Sequence, residues 1–128
     1  RWADNDMYGH VNNVTYYSYF DTAANALLIQ KAGFDIRQSP SIGLVVESHC
    51  QFMQELSYPE IIEVGVAIRK LGNSSLCYDL AIFKQGQEVA SAQGYFTHVF
   101  VDRVTRKSTS ISTEMRDALA SFLMNEEL

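Results

Sequence analysis

The sequence predicts an α+β fold in a single domain, and three observations support this prediction. Residues 14–32 carry apolar side chains three or four positions apart, which is the spacing of a helix with a buried face. Residues 44–101 contain four segments in which side chains alternate as they do in strands. A second helical pattern follows residue 112. A chain of 128 residues with 47% hydrophobic side chains is long enough for one packed core.

The first helix is the most apolar element that the sequence predicts. Asn12 or Asn13 is suited to cap its beginning, and Gly33 to follow its last turn. Because the segment is apolar on most sides, we expect the sheet to cover it. The positions that recur at helical spacing are Tyr16, Tyr17, Phe20, Ala23, Ala24, Leu27, Leu28 and Lys31.

Four strands are predicted after a loop at residues 34–43. The segment LSYPE, which contains Pro59, separates the first two strands, and two glycine turns separate the others. Strands joined by short turns pair with their neighbours along the chain, so the sequence predicts an antiparallel meander. The strands cover residues 44–53, 62–69, 76–82 and 89–101, with turns at Gly72-Asn73 and Gln85-Gly86.

Both ends of the chain carry further predictions. Ser112 or Thr113 is predicted to cap a final helix, with Met115, Leu119, Phe122 and Leu123 on one side. Arg1-Trp2 is interpreted as the end of a strand, because a sheet of four strands would leave the first residues unpaired. We therefore expect a first strand to lie mostly upstream of residue 1, in a single domain that spans residues 1–128.

Charge and cysteine content narrow the possible functions. A net charge of −5 and a pI near 5.0 argue against a nucleic-acid partner, because no basic face balances a phosphate backbone. No apolar run approaches the roughly 20 residues that span a bilayer, and no targeting leader is recognised. Cys50 and Cys77 have neither CxxC spacing nor a His partner, so we interpret them as reduced structural thiols and predict a cytoplasmic protein.

The polar segment RWADNDMYGHVNN, residues 1–13, leads directly into the first helix. Asp6 is either a turn acid that bonds its own backbone or a carboxylate that performs chemistry. Asp4 is interpreted as structural, His10 as a hydrogen-bond partner that orders the loop, and Gly9 as a residue with a conformation that others resist. Spacings such as HxH or HExxH do not occur, so no metal site is predicted.

The motif DMYGHVNN, residues 6–13, resembles the opening of the hotdog-fold acyl-CoA thioesterases of the 4-hydroxybenzoyl-CoA thioesterase type. Arg1-Trp2 before the motif and Tyr16, Tyr19-Phe20-Asp21 after it add to the resemblance, which extends over the whole chain. It implies a long central helix wrapped by a curved antiparallel sheet. It also implies a homodimer or homotetramer whose active sites lie at the dimer interface, with no metal or organic cofactor.

The resemblance further implies roles for particular residues. Asp6 is the catalytic carboxylate, acting as nucleophile or as general base toward water, and the backbone N–H of Asn13 polarises the thioester oxygen. Such a reaction needs an attacking oxygen and stabilisation of the developing oxyanion, and a helix N-terminus offers free N–H groups for the second task. The turn between the second and third predicted strands would hold the CoA phosphates. The implied substrate contacts are Gly72, Asn73, Ser74, Ser75 and Tyr16, with Gly9, His10 and Asp21 in support.

The sequence predicts an enzyme that hydrolyses an acyl-CoA to a free acid and CoA, and two alternatives stay open. A hotdog enoyl-CoA hydratase would use Asp and His about five positions apart in a DxNPxH-type loop. Asp6 and His10 are four positions apart here, and no Pro intervenes. A non-catalytic acyl-thioester binding protein would need the fold and the groove but no attacking carboxylate, so the presence of Asp6 argues against it. The resemblance also makes Asp21 a second candidate for the catalytic acid, because some hotdog enzymes use a carboxylate on the helix. We interpret it instead as a supporting residue that bonds back into the loop.

Overall fold

The computed structural model describes residues 1–123 as one long helix, four antiparallel strands and a short second helix. The predicted domain extends over five further residues, 124–128, which lie outside the described part. The α+β class predicted from the sequence is confirmed. The elements in chain order are a 3₁₀ turn (Trp2–Asp4), α1 (Asn13–Lys31), β1 (Ser41–Phe52), β2 (Ile62–Leu71), β3 (Ser75–Lys84), β4 (Ala92–Asp102) and α2 (Thr113–Ala120).

The strands form one sheet in the order β1-β4-β3-β2, with every pair antiparallel. The predicted meander is therefore correct only for β2, β3 and β4. The prediction that β1 pairs with β2 is wrong, because β1 lies at the opposite edge and pairs with β4. Alternation reports which face of a strand is buried but not which strand lies beside it, since pairing is a long-range property.

Helix α1 lies on one face of the sheet and supplies the centre of the core. Its buried side chains come from successive turns and share one apolar core with the inward row of β3, where buried and half-buried residues alternate. Phe20, Leu76 and Ile82 are fully buried in this core. The buried residues of the helix are Tyr16, Phe20, Ala24, Leu27 and Leu28.

Helix α1 begins and ends at the capping residues that the sequence predicts. The Asn12 side chain accepts a hydrogen bond from Val14 N at 2.9 Å, so Asn12 is the N-cap of the helix. Gly33 has φ +66 just after the last turn, a left-handed conformation that glycine adopts without steric cost. The sequence therefore places both ends of the helix correctly.

Several predicted boundaries are wrong, among them the beginning of the fourth strand, which is Ala92 and not residue 89. Arg1-Trp2 does not end a strand, because Trp2–Asp4 forms a 3₁₀ turn in which Asp4 N donates to the carbonyl oxygen of Arg1 at 3.0 Å. The loop at residues 34–43 is shorter than predicted, since β1 already begins at Ser41. Helix α2 is capped by Ser112 but ends at Ala120, before Phe122, whose carbonyl oxygen accepts a hydrogen bond from Ile68 N at 2.9 Å.

The described residues show whether a helix could span a membrane and whether the two cysteines are bonded. Within residues 1–123, no helix is long and apolar enough to cross a membrane. Cys50 and Cys77 are both free thiols, and burial raises the pKa of the Cys50 thiol to about 11, which makes it unreactive.

A buried Tyr–His pair lies among the apolar side chains of the core. The Tyr78 hydroxyl and His98 Nδ1 lie 3.0 Å apart, and the His98 side chain is 3% exposed. Burial lowers the pKa of His98 to about 4, and the nearby Asp21 carboxylate offsets this effect only in part. His98 is therefore neutral in the folded protein at neutral pH.

Because His98 is buried and neutral, we expect the free energy of unfolding to decrease in weak acid. Below its usual pKa of 6.5, His98 binds a proton in the unfolded chain but not in the folded one, so the free energy of unfolding decreases as the pH falls from 6.5 toward 4. Between pH 7 and pH 5 we expect His98 to account for a loss of about 2 kcal/mol. Urea unfolding at both pH values measures it, and a His98→Asn variant that loses as much as the wild type would contradict the assignment.

Candidate active site

The polar segment before α1 folds back on itself as a short loop, the Asp6 loop, with its base at Asn5 and Val11 and its tip between them. Asn5 and Val11 form an antiparallel bridge, and Asn12 N donates to the carbonyl oxygen of Asp4 at 2.8 Å, which closes the base of the loop. At the tip, Gly9 has φ +81 and donates its N–H to the carbonyl oxygen of Asp6 at 3.1 Å. The left-handed conformation predicted for Gly9 is thus present, and it turns the chain back toward the helix.

The Asp6 carboxylate has one oxygen bound within the loop and one available. Its Oδ1 accepts hydrogen bonds from Tyr8 N at 2.9 Å and from His10 N at 3.4 Å. Its Oδ2 has no hydrogen-bond partner within residues 1–123. The turn-acid interpretation and the chemical one are therefore compatible, because the loop fixes the carboxylate through one oxygen and leaves the other to act.

The backbone N–H of Asn13 is also available. Asn13 is the first residue of α1, where an N–H has no acceptor inside the helix, and no backbone acceptor elsewhere in the described chain binds it. The positive end of the helix dipole lies at the same place. An oxygen that develops negative charge would be stabilised there.

A cavity of about 240 Å³ is lined by both residues, Asp6 and Asn13. Asp6, Asn13, His10 and Tyr16, all predicted as site residues, lie on its wall. The end of β1 and the segment after it form the rest. The complete lining is Asp6, His10, Val11, Asn13, Tyr16, Phe52, Met53, Gln54 and Glu55.

The far wall of this cavity was not predicted from the sequence. The Phe52 ring meets the Tyr16 ring edge-on, with centroids 4.9 Å apart. Glu55 Oε2 lies 3.0 Å from His10 Nε2. Phe52 lies at the end of the first predicted strand and Glu55 just after it, and neither belongs to a motif that would predict its place beside the loop.

Asp4 does not line the cavity of Asp6 and makes its contacts elsewhere. It is buried, accepts a hydrogen bond from the Tyr19 hydroxyl at 2.9 Å, and pairs with the Arg1 guanidinium at 2.7 Å. The guanidinium holds the pKa of this carboxyl well below its usual range. Asp4 thus ties the segment before the loop to the side of α1, in agreement with its predicted structural role.

Asp21 does not bond back into the loop, so this expectation is wrong. Its carboxylate accepts a hydrogen bond from Asn25 Nδ2 at 3.1 Å, one turn further along α1, and its side chain is exposed. It is not among the residues that line the cavity of Asp6. The i, i+4 spacing on a helix explains the local pairing.

The turn at residues 72–75 lies apart from the Asp6 cavity. Gly72 N donates to the carbonyl oxygen of Ser75 at 2.8 Å, and the Arg116 guanidinium on α2 donates to the carbonyl oxygen of Gly72 at 2.8 Å. Arg116 brings a positive charge to the turn that the sequence did not predict. Phosphate contact by Gly72, Asn73, Ser74 and Ser75 stays a prediction. Within residues 1–123, no group of three or more His, Cys, Asp or Glu side chains is arranged to hold a metal ion.

A long helix packed on one face of an antiparallel sheet of order β1-β4-β3-β2 is the arrangement of the hotdog fold. The chain belongs to the Thioesterase-like superfamily, whose family model matches residues 1–119. The predicted hotdog fold and the family resemblance are both confirmed.

Several known proteins are similar to the chain. The PA5185 protein from Pseudomonas aeruginosa is 50% identical with a TM-score of 0.95, over 99% of this chain and 89% of that one. A gentisyl-coenzyme A thioesterase is 25% identical with a TM-score of 0.83, over 94% of each chain. The YsmA protein from Bacillus subtilis is 26% identical over 59% of this chain, and the match spans about half of that protein's length, 51%.

Proposed function

We propose that the protein is an acyl-CoA thioesterase, which hydrolyses an acyl-CoA to a free acid and CoA. The observation that carries the proposal is that one cavity is lined by Asp6, whose carboxylate has a free oxygen, and by Asn13, whose backbone N–H is unbonded. Membership of the Thioesterase-like superfamily and similarity to a gentisyl-coenzyme A thioesterase support the same reaction.

Two routes fit the geometry, and both use the same two groups. As a general base, Asp6 takes a proton from water, and the resulting hydroxide adds to the thioester carbon. As a nucleophile, Asp6 adds to that carbon directly and forms an anhydride that water then cleaves. In both routes the thioester oxygen becomes negatively charged and accepts a hydrogen bond from Asn13 N–H, and the CoA thiolate leaves and is protonated. Neither route requires a metal or an organic cofactor.

The acyl group and the CoA make separate contacts in this proposal. Tyr16 and Phe52, whose rings are in contact, form an aromatic wall for the acyl group in the cavity that Asp6 also lines. The turn formed by Gly72, Asn73, Ser74 and Ser75 takes the CoA phosphates, and the charge of Arg116 next to it favours an anion there. Gly9 and His10 support the loop, and Asp21 lies on the helix outside the cavity.

The test is release of free thiol from short, medium and aromatic acyl-CoAs. Thiol release above the uncatalysed rate supports hydrolysis. Hydration of an enoyl-CoA without thiol release would instead favour the hydratase alternative. Binding of acyl-CoA with neither reaction would favour a non-catalytic binding protein.

We also propose that the protein is a homodimer or homotetramer with its active sites at the dimer interface. Strand β1 is an edge strand of the sheet, and its Leu44, Val45 and Val46 are exposed large apolar residues. An exposed apolar edge strand favours pairing with another copy. Light scattering at micromolar concentration is expected to give at least twice the mass of one chain, and a monomer would contradict the proposal.

A further inference from the structure

The Asp6 loop is fixed firmly at its base and weakly at its tip. At the base, Val11 N donates to the carbonyl oxygen of Leu56 at 2.6 Å, and Tyr58 N donates to Asn5 Oδ1 at 3.1 Å. At the tip, Met7 is 91% exposed and makes no such contact. The segment after β1 therefore holds the base of the loop through its backbone.

One polar side-chain contact joins the tip to the rest of the molecule. Among the hydrogen bonds and ion pairs of residues 1–123, only the pair between His10 Nε2 and Glu55 Oε2, 3.0 Å apart, links a side chain of residues 6–10 to a residue outside the loop. Glu55 comes from the same segment that holds the base, and it lines the cavity that contains Asp6.

Two hydrogen bonds join His10 and Asp6, and each residue donates one of them. Asp6 N donates to the carbonyl oxygen of His10 at 2.7 Å, and His10 N donates to Asp6 Oδ1 at 3.4 Å. A displacement of the His10 ring is thus transmitted through one hydrogen bond to the Asp6 backbone and through the other to the Asp6 carboxylate. The second bond is long, so the position of His10 decides how well it forms.

We propose that Glu55 is a positioning residue for the Asp6 carboxylate and acts through His10. Its carboxylate accepts a hydrogen bond from His10 Nε2–H, which selects the form of the ring that is protonated at Nε2 and fixes its direction. The anchored ring holds the backbone of His10 against Asp6. This inference rests on the proposed function, since it concerns the same reaction.

The contact is exposed, so its effect on catalysis can be separated from its effect on folding. The side chains of His10 and Glu55 are 43% and 75% exposed, and exposed pairs contribute little to stability. A catalytic carboxylate that is misplaced by about 1 Å can lose a hundredfold in rate. We therefore expect substitutions of Glu55 to change turnover while leaving the melting temperature unchanged.

Steady-state kinetics on an acyl-CoA that the wild type hydrolyses test the proposal. Glu55→Ala is expected to lower kcat about tenfold with little change in KM, because positioning affects the chemical step. Glu55→Gln keeps an acceptor for Nε2–H and is expected to retain most of kcat. Glu63→Gln changes an exposed carboxylate of β2 outside the cavity and serves as the matched control.

A double-mutant cycle with His10→Ala decides whether Glu55 acts through His10. If it does, Glu55→Ala causes no further loss of kcat in the His10→Ala background, because the His10 ring through which Glu55 acts is already absent. Equal losses in both backgrounds would overturn the proposal, as would full activity of Glu55→Ala.

A second readout does not depend on catalysis. Nitrogen-15 chemical shifts of the His10 ring are expected to show Nε2–H in the wild type and a mixture of tautomers in Glu55→Ala. Identical ring shifts in the two proteins would overturn the link between Glu55 and His10. A wild type that is inactive on every acyl-CoA would overturn the proposed function, while the ring shifts would still show whether Glu55 controls His10.

Discussion

Replacing Asp6 by Asn is expected to lower kcat for acyl-CoA hydrolysis by about three orders of magnitude. Asn has the shape of Asp, and its Oδ1 can still accept hydrogen bonds from Tyr8 N and His10 N, so the loop keeps its conformation. The neutral amide can neither take a proton from water nor attack the thioester carbon. Free-thiol release measures the loss, and thermal unfolding is expected to show a stability close to that of the wild type.

The matched control for this substitution is Asp21→Asn. Asp21 is a carboxylate on the neighbouring helix, bound to Asn25 and outside the cavity of Asp6. It is expected to keep kcat within about threefold of the wild type, because it does not meet the reacting groups. If Asp21→Asn were the inactive protein and Asp6→Asn the active one, the catalytic carboxylate would lie on the helix rather than in the loop.

The sequence predicts one half of the candidate site and not the other. Asp6, His10 and Asn13 lie within one short motif, so local spacing is enough to place them at the beginning of α1. Phe52 and Glu55 reach the same cavity from the end of β1. Their position depends on tertiary folding, and neither residue type nor local periodicity contains that information.

The same distinction applies to the fold. The alternation of side chains predicts that four strands exist, because alternation is a local property of a strand. It does not predict that β1 pairs with β4 at the far edge from β2. One residue inside β4 permits that pairing, although its importance is visible only in the structure.

This residue is Gly94, which lies opposite Cys50 in the register between β4 and β1. A methyl group at this position would overlap the carbonyl oxygen of His49 and lie 3.0 Å from Cys50 Cα. Both are backbone atoms of β1, which cannot move aside as a flexible side chain can. Gly94 therefore permits the close approach of two strands at a point where any other residue would separate them.

Gly94→Ala is expected to decrease the free energy of unfolding by about 3 kcal/mol, because overpacking against a backbone forces the strands apart. The matched control is Gly65→Ala in β2, where the nearest atom to the added methyl is in the Phe83 ring, at 3.8 Å. That substitution is expected to change stability by less than about 1 kcal/mol. Urea unfolding of both variants measures the difference.

The effect of Gly94→Ala is expected to reach the active site as well. Strand β1 ends at Phe52, which lines the cavity in contact with Tyr16, and the segment after it carries Glu55. A displaced β1 moves both residues relative to Asp6, so thiol release should decrease even at temperatures where the variant is folded. Equal stability and activity in Gly94→Ala and Gly65→Ala would contradict the close approach of β1 and β4 on which this coupling depends.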